Sequence, residues 1–145
     1  MDKRIKRLVS CYIRRFNTTD PFRIAKELNI QVFFQPLGKT AGMYKYLEHT
    51  KCIFINSEID NEQFLKVVMA HELGHAVLHW KENCCFMAHK TLLLPSRTEL
   101  DANKYAAYLL ISEDMLSDYK GYTIDQMATC TGIDKELIKL RLKMN

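Results

Sequence analysis

The segment M-A-H-E-L-G-H-A-V-L-H-W, residues 69–80, threads His71, Glu72, His75 and His79 through Leu73, Ala76, Val77 and Leu78, residue types that belong in a protein interior. Two imidazoles and a carboxylate buried together cost several kcal/mol unless every one is satisfied. Helix geometry offers a reason to keep them. Residues four apart lie on nearly one face, separated by about 6 Å of axial rise. His71 and His75 can therefore converge on one Zn²⁺ at about 2.0–2.1 Å. Glu72 lies about 100° around the helix, at the rim of such a site. From there a carboxylate can take a proton from water that the metal has activated. Gly74, between the histidines, lets another backbone approach closely.

A catalytic zinc wants three protein donors and one open position. Glu99 lies 24 residues beyond His75 within R-T-E-L-D-A-N-K-Y-A-A-Y-L-L, a second helical pattern. Ala102, Asn103 and Ala106 share its face, and the two alanines permit tight packing against the histidine helix. Asn103, one turn beyond Glu99, is placed to accept the free N–H of a ligating imidazole and fix its tautomer. Asp101 falls on the other side. His79 is eight residues from His71, about 12 Å along the axis, too far to share the ion from an unbroken helix. A packing or supporting role is expected of it. Cys84-Cys85 lacks C-x-x-C spacing and is expected to be inert; the functional alternative is a thiolate capping the open zinc position.

The elements that must carry these groups can be read from periodicity. Ile5, Leu8, Val9, Tyr12, Ile13 and Phe16 mark an amphipathic helix, stopped by N-T-T-D-P at 17–21. A short helix follows from Phe22 to Leu28, with Pro21 in its first turn. Gln31 to Gln35 reads as a strand. Gly42 to Glu48 and Lys51 to Asn56 read as a hairpin around His49-Thr50. The histidine helix is expected from about Asn61 to Trp80 with Asp60 as N-cap, and the Glu99 helix from Arg97 to Ile111. Two short helices, Ile124 to Thr129 and Asp134 to Lys143, complete a C-terminal pair within 121–145. This order predicts one α+β domain over 1–145, with a small antiparallel or mixed sheet and helical termini.

The chain has 145 residues, 48% of them apolar and 26% charged, values of a soluble globular protein. No apolar run is long enough for a membrane span, and charges interrupt the basic N-terminus where a signal peptide would be apolar. The five cysteines show no disulfide spacing. A cytoplasmic location is expected. Net charge is +4, with much of it in Lys3, Arg4, Lys6, Arg7, Arg14 and Arg15 and in Lys135, Lys139, Arg141 and Lys143. Such flanks are usually solvated helix faces.

H-E-L-G-H-A-V-L-H at 71–79 and E-L-D-A-N-K-Y-A-A-Y-L-L at 99–110 resemble the ImmA/IrrE family of zinc metallopeptidases. The second segment is similar to the family element E-x-E-A-N-x-F-A-x-x-L-L, with Asp101 for Glu and Tyr105 for Phe. Where family chains often continue with Met-Pro, this one has Ile111-Ser112. The resemblance implies a zincin-like domain in which His71, His75 and Glu99 hold zinc and Glu72 is the base. It also implies a cytoplasmic protease that cleaves a helix-turn-helix repressor of a phage, mobile element or stress response. The reaction it implies is attack of a zinc-polarised water on a peptide carbonyl. Tyr44, Tyr46 and His89 are available as further oxyanion donors, and the 42–56 hairpin is expected to present an edge strand to substrate.

Two competing readings stay open. In one, M-A-T-C-T-G-I-D-K-E-L-I-K-L-R-L at 127–142 has helix-turn-helix spacing, and the protein is a non-catalytic, metal-stabilised module that binds DNA or a repressor. Similar helix pairs commonly dock on a core instead. In the other, zinc is structural, with Cys84 or Cys85 as fourth ligand.

Overall fold

In the computed structural model, residues 1–87 and 96–144 are described, 86 and 87 by backbone alone. The apolar stripe of the N-terminal pattern buries Ile5 and Val9 on helix α1 (Asp2–Phe16), which stops at Asn17 in the left-handed conformation with φ 52°. Asp20 caps α2 (Pro21–Glu27), its carboxylate accepting from the Phe22 N–H at 3.0 Å. Pro21 sits in the first turn, where a missing N–H costs nothing.

Three strands follow: β1 (Gln31–Gln35), β2 (Thr40–Leu47) and β3 (Thr50–Asn56). The β2–β3 turn is Glu48-His49, with φ of 47° and 65°, one residue earlier than expected. Two left-handed residues give the turn a twist that matches the strands it joins, and Thr50 is thereby released to pair with Leu47. Buried Asn56 pins the far end of the hairpin. Its amide nitrogen donates to the Gly38 and Thr40 carbonyls at 3.0 Å each, and its oxygen accepts from the Glu58 N–H.

A fourth strand, β4 (Cys84–Met87), completes a mixed sheet of order β1-β3-β2-β4, in which β1 runs parallel to β3 and the other neighbours are antiparallel. Both hairpin strands are therefore interior. The expected edge strand for substrate is not in the hairpin; β1 and β4 are the edges among the described residues.

Helix α3 (Glu62–Leu78) lies on β2 and β3 and is covered on its other side by α4 (Arg97–Leu110). Covering on both sides explains why residues 68–76 are all buried and apolar around most of the circumference. Asn61, not the expected Asp60, caps α3: its backbone is extended and its side-chain oxygen accepts from the Phe64 N–H at 3.0 Å. The helix ends two residues short of Trp80, with His79 as C-cap. Ser96 caps α4 through the Glu99 N–H. Ile111 then turns extended and Ser112 caps a short unpredicted helix, α5 (Glu113–Asp118).

The C-terminal pair is α6 (Ile124–Thr131), opened by a capping box between Thr123 and Gln126, and α7 (Lys135–Lys143). Arg141, one of the basic residues of the supposed recognition helix, is buried. Its Nε donates to the Ile111 carbonyl at 2.8 Å, a guanidinium nitrogen pairs with Glu113 at 2.8 Å, and the group lies over the Tyr108 ring. This docks α7 on the α4–α5 junction.

The contact that sets α3 against α4 is glycine on backbone. A Cβ at Gly74 would sit 3.0 Å from Tyr105 Cβ, 3.1 Å from Ala102 Cα and 3.2 Å from the Ala102 carbonyl oxygen. Most of these atoms are backbone or Cβ and cannot swing aside. Overpacking of this kind costs about 1–3 kcal/mol, more than the ~1 kcal/mol or less that leaving glycine gains in helix propensity. Gly74→Val is expected to lose about 2 kcal/mol of unfolding free energy in a urea titration; an unchanged midpoint would contradict the close approach.

Candidate functional site

Helix spacing puts His71 and His75 one turn apart, with ring centroids 4.8 Å apart at an interplanar angle of 75° and their Nε2 atoms 3.1 Å apart. Glu99, in the first turn of α4, reaches across the seam that Gly74 leaves. Its Oε2 is 2.8 Å from His71 Nε2 and its Oε1 is 3.1 Å from His75 Nε2. All three expected metal-binding side chains thus converge on one point. The imidazoles are fully buried and Glu99 is about a quarter exposed, so the point opens outward on the Glu99 side.

Asn103 stands where the i+4 argument placed it, with its amide oxygen 2.8 Å from His71 Nδ1. That oxygen can only accept, so the His71 proton is on Nδ1 and Nε2 presents a lone pair. Burial pushes His71 below the usual imidazole range, which keeps the ring neutral. Burial pushes the Glu99 carboxyl the other way, but the two imidazoles outweigh it and hold the group down to about 2, fully ionised. A neutral His71 that gives its one N–H to Asn103 has none left for Glu99. At most one proton, on His75 Nε2, is then left for three acceptors that face one another at about 3 Å.

A divalent cation resolves this conflict. Tetrahedral bonds of 2.0–2.1 Å put neighbouring donors about 3.3 Å apart, so the donors need spread by only a few tenths of an ångström. Their chemistry, two nitrogens and a carboxylate oxygen, fits zinc and its neighbours in the first transition row.

Glu72 is buried just beside these groups, under β2. A Cβ at Gly42 would be 2.8 Å from Val68 Cγ1 and 3.1 Å from Glu72 Cγ, so only glycine lets β2 lie against α3 here. Burial drives the Glu72 carboxyl well above the usual range; a hydrogen bond from Cys84 opposes this and the Glu99 charge adds to it. Its Oε1 accepts from the Cys84 thiol at 3.3 Å, and its Oε2 has no partner among the described residues.

His79 stays away from the cluster, as its distance along the helix required. Its Nε2 pairs with the buried Asp101 carboxylate at 3.0 Å, which ties the last turn of α3 to α4. Of the two tyrosines considered as oxyanion donors, Tyr44 has its hydroxyl engaged elsewhere, donating to the Trp80 carbonyl at 2.6 Å, and Tyr46 packs its ring edge-on to Trp80. His89 lies outside the described residues. Gly42 and Cys84 were not singled out as neighbours of Glu72; only the pairing of β2 with both β3 and β4 brings them there. A cleft of about 920 Å³, floored by Phe64, Val67, Ile133 and Leu137, runs between α3 and the C-terminal pair and meets the cluster at Asn103. Among the described residues no helix is long and apolar enough to cross a membrane.

The chain is similar to known proteins over most of its length. The profile of the M78 peptidase family, described as the IrrE N-terminal-like domain, matches residues 25–143. The chain is 36% identical over 140 residues to the uncharacterized immunity region protein 2 of Bacillus phage phi105, covering 94% of this chain and 88% of that one. It is 29% identical over 135 residues to the metallopeptidase ImmA of Bacillus subtilis (strain 168), covering 87% and 76% respectively. A profile match over most of its length and these relatives place the chain in the ImmA/IrrE family of metallopeptidase-like proteins.

Proposed function

We propose that the protein is a cytoplasmic, zinc-dependent endopeptidase whose substrate is a helix-turn-helix repressor of a phage, mobile element or stress response. The observation that carries the reading is the convergence of two imidazole nitrogens and a carboxylate at one buried point, with too few protons between them to satisfy all three contacts. His71, His75 and Glu99 would hold the metal, and Asn103 would keep His71 in the tautomer that exposes Nε2. When bound, the ion supplies Lewis-acid stabilisation of the carbonyl oxygen and lowers the pKa of the attacking water.

Glu72 does the proton work. Its partner-free Oε2 takes the proton of the attacking water and returns it to the amide nitrogen as the peptide bond breaks. Burial suits that role, since it raises the affinity of the carboxylate for the proton it must take. His71, Glu72 and His75 are themselves buried, and a dry setting strengthens each of these electrostatic effects. The likeness to a phage immunity region protein and to a metallopeptidase supports a substrate among regulators of that setting. The burial of Arg141 in the α4–α5 junction supports a docked C-terminal pair over a DNA-reading one.

Incubation with the repressor encoded beside the gene should yield two fragments, none in the presence of a chelator, and none with Glu72→Gln although this variant still binds one equivalent of zinc. A regulatory effect that survives Glu72→Gln would mean a binder and not a protease. Asn103→Ala should keep the fold but weaken zinc binding about 10–100-fold in a competition titration; unaltered affinity would remove Asn103 from the site.

A further inference from the structure

The proposed catalysis leaves the half-buried thiol beside Glu72 unused. Residues along β4 alternate between faces, and Cys84, opposite Tyr44 in the β2–β4 register, points inward while Cys85 is exposed. The Cys84 Sγ reaches more than Glu72. One donor atom each from His75, Cys84 and Glu99 lies within 4.8 Å of the others. In a tetrahedral shell with a sulfur bond of about 2.3 Å, the sulfur stands roughly 3.5 Å from its neighbours. From within 4.8 Å of His75 and Glu99, Cys84 has on the order of 1 Å to move to stand at that distance from both. The fully buried Glu72 carboxylate faces the same place, with one oxygen on the thiol and the other without a partner among the described residues. The donor set here exceeds what catalysis uses.

We propose that Cys84 Sγ is the fourth protein donor in a resting state of this site, joining His71, His75 and Glu99 and closing the position that peptide cleavage needs open. The inference rests on the metal site proposed above. As the sulfur–metal bond forms, the S–H bond breaks and its proton passes to the Glu72 carboxylate at Oε1. A thiol and a carboxylate become a bound thiolate and a carboxylic acid, so charge and protons balance. Closure therefore also occupies the base. Cys85, on the opposite face, and His79, held by Asp101, cannot take this place. Cleavage requires Cys84 to withdraw, and β4 is suited to that: it is a short strand at the edge of the sheet among the described residues, paired with β2 through an irregular register between Thr40 and Gly42.

Cobalt substituted for zinc in the full chain tests this. The wild type should bind one equivalent and show the near-ultraviolet charge-transfer band of a thiolate on cobalt. Cys84→Ser should bind one equivalent and lose the band; Cys85→Ser should keep it. One equivalent bound without the band in the wild type, or a band that persists in Cys84→Ser, overturns the proposal while leaving the metal site standing. A wild-type chain that takes up no cobalt overturns both. Zinc-edge absorption of the wild type needs no variant: one sulfur neighbour at about 2.3 Å is expected, and a shell of nitrogen and oxygen alone contradicts the resting state.

Discussion

Three electron-pair donors meeting in a dry place form the constraint on which this molecule is built. Two imidazoles and a carboxylate lie within about 3 Å of one another, and such a buried group is costly unless each member finds a proton or a positive charge. They meet because two helices come unusually close. Gly74 on α3 faces the backbone of Ala102 on α4, and with Ala106 it lets the first turn of α4 deliver Glu99 across the seam. The helices also carry their own bolts. His79 with Asp101 fixes the end of α3, and His71 with Asn103 fixes the ring that matters most.

The sheet serves the same site from the other side. β2 can lie on α3 only because residue 42 has no side chain, and that contact keeps water from Glu72. Burial then raises the affinity of that carboxylate for a proton. β4 extends the sheet at its edge and brings Cys84 to the other oxygen of Glu72. One carboxylate is thus placed between the paired imidazoles and a thiol. The peripheral elements hold this arrangement rigid: α1 packs on α4 and pairs Asp2 with Lys104, while buried Arg141 locks α7 to the α4–α5 junction.

Much of the site was legible in the sequence because helices translate spacing into direction. The i, i+4 interval fixed the convergence of His71 and His75, and the same interval on the second helix fixed Asn103 beside Glu99. The eight-residue interval ruled His79 out. Most helices were legible for the same reason. Strand neighbours were not, since sheet order depends on contacts between segments far apart in the chain. The hairpin was recognisable from its two apolar runs, but nothing local to it tells that β1 joins one side and β4 the other. For that reason the hairpin was taken for an edge, and Gly42, Tyr44 and Cys84 could not be assigned to their neighbours. The short elements β4 and α5 have too few residues to show a period.

The most direct test of the account is an anomalous difference map, recorded at the zinc edge from crystals grown with zinc. The account predicts one strong peak within about 2.1 Å of His71 Nε2, His75 Nε2 and a Glu99 carboxylate oxygen. A map with no peak there, or with the three side chains turned away from a peak elsewhere, would contradict it.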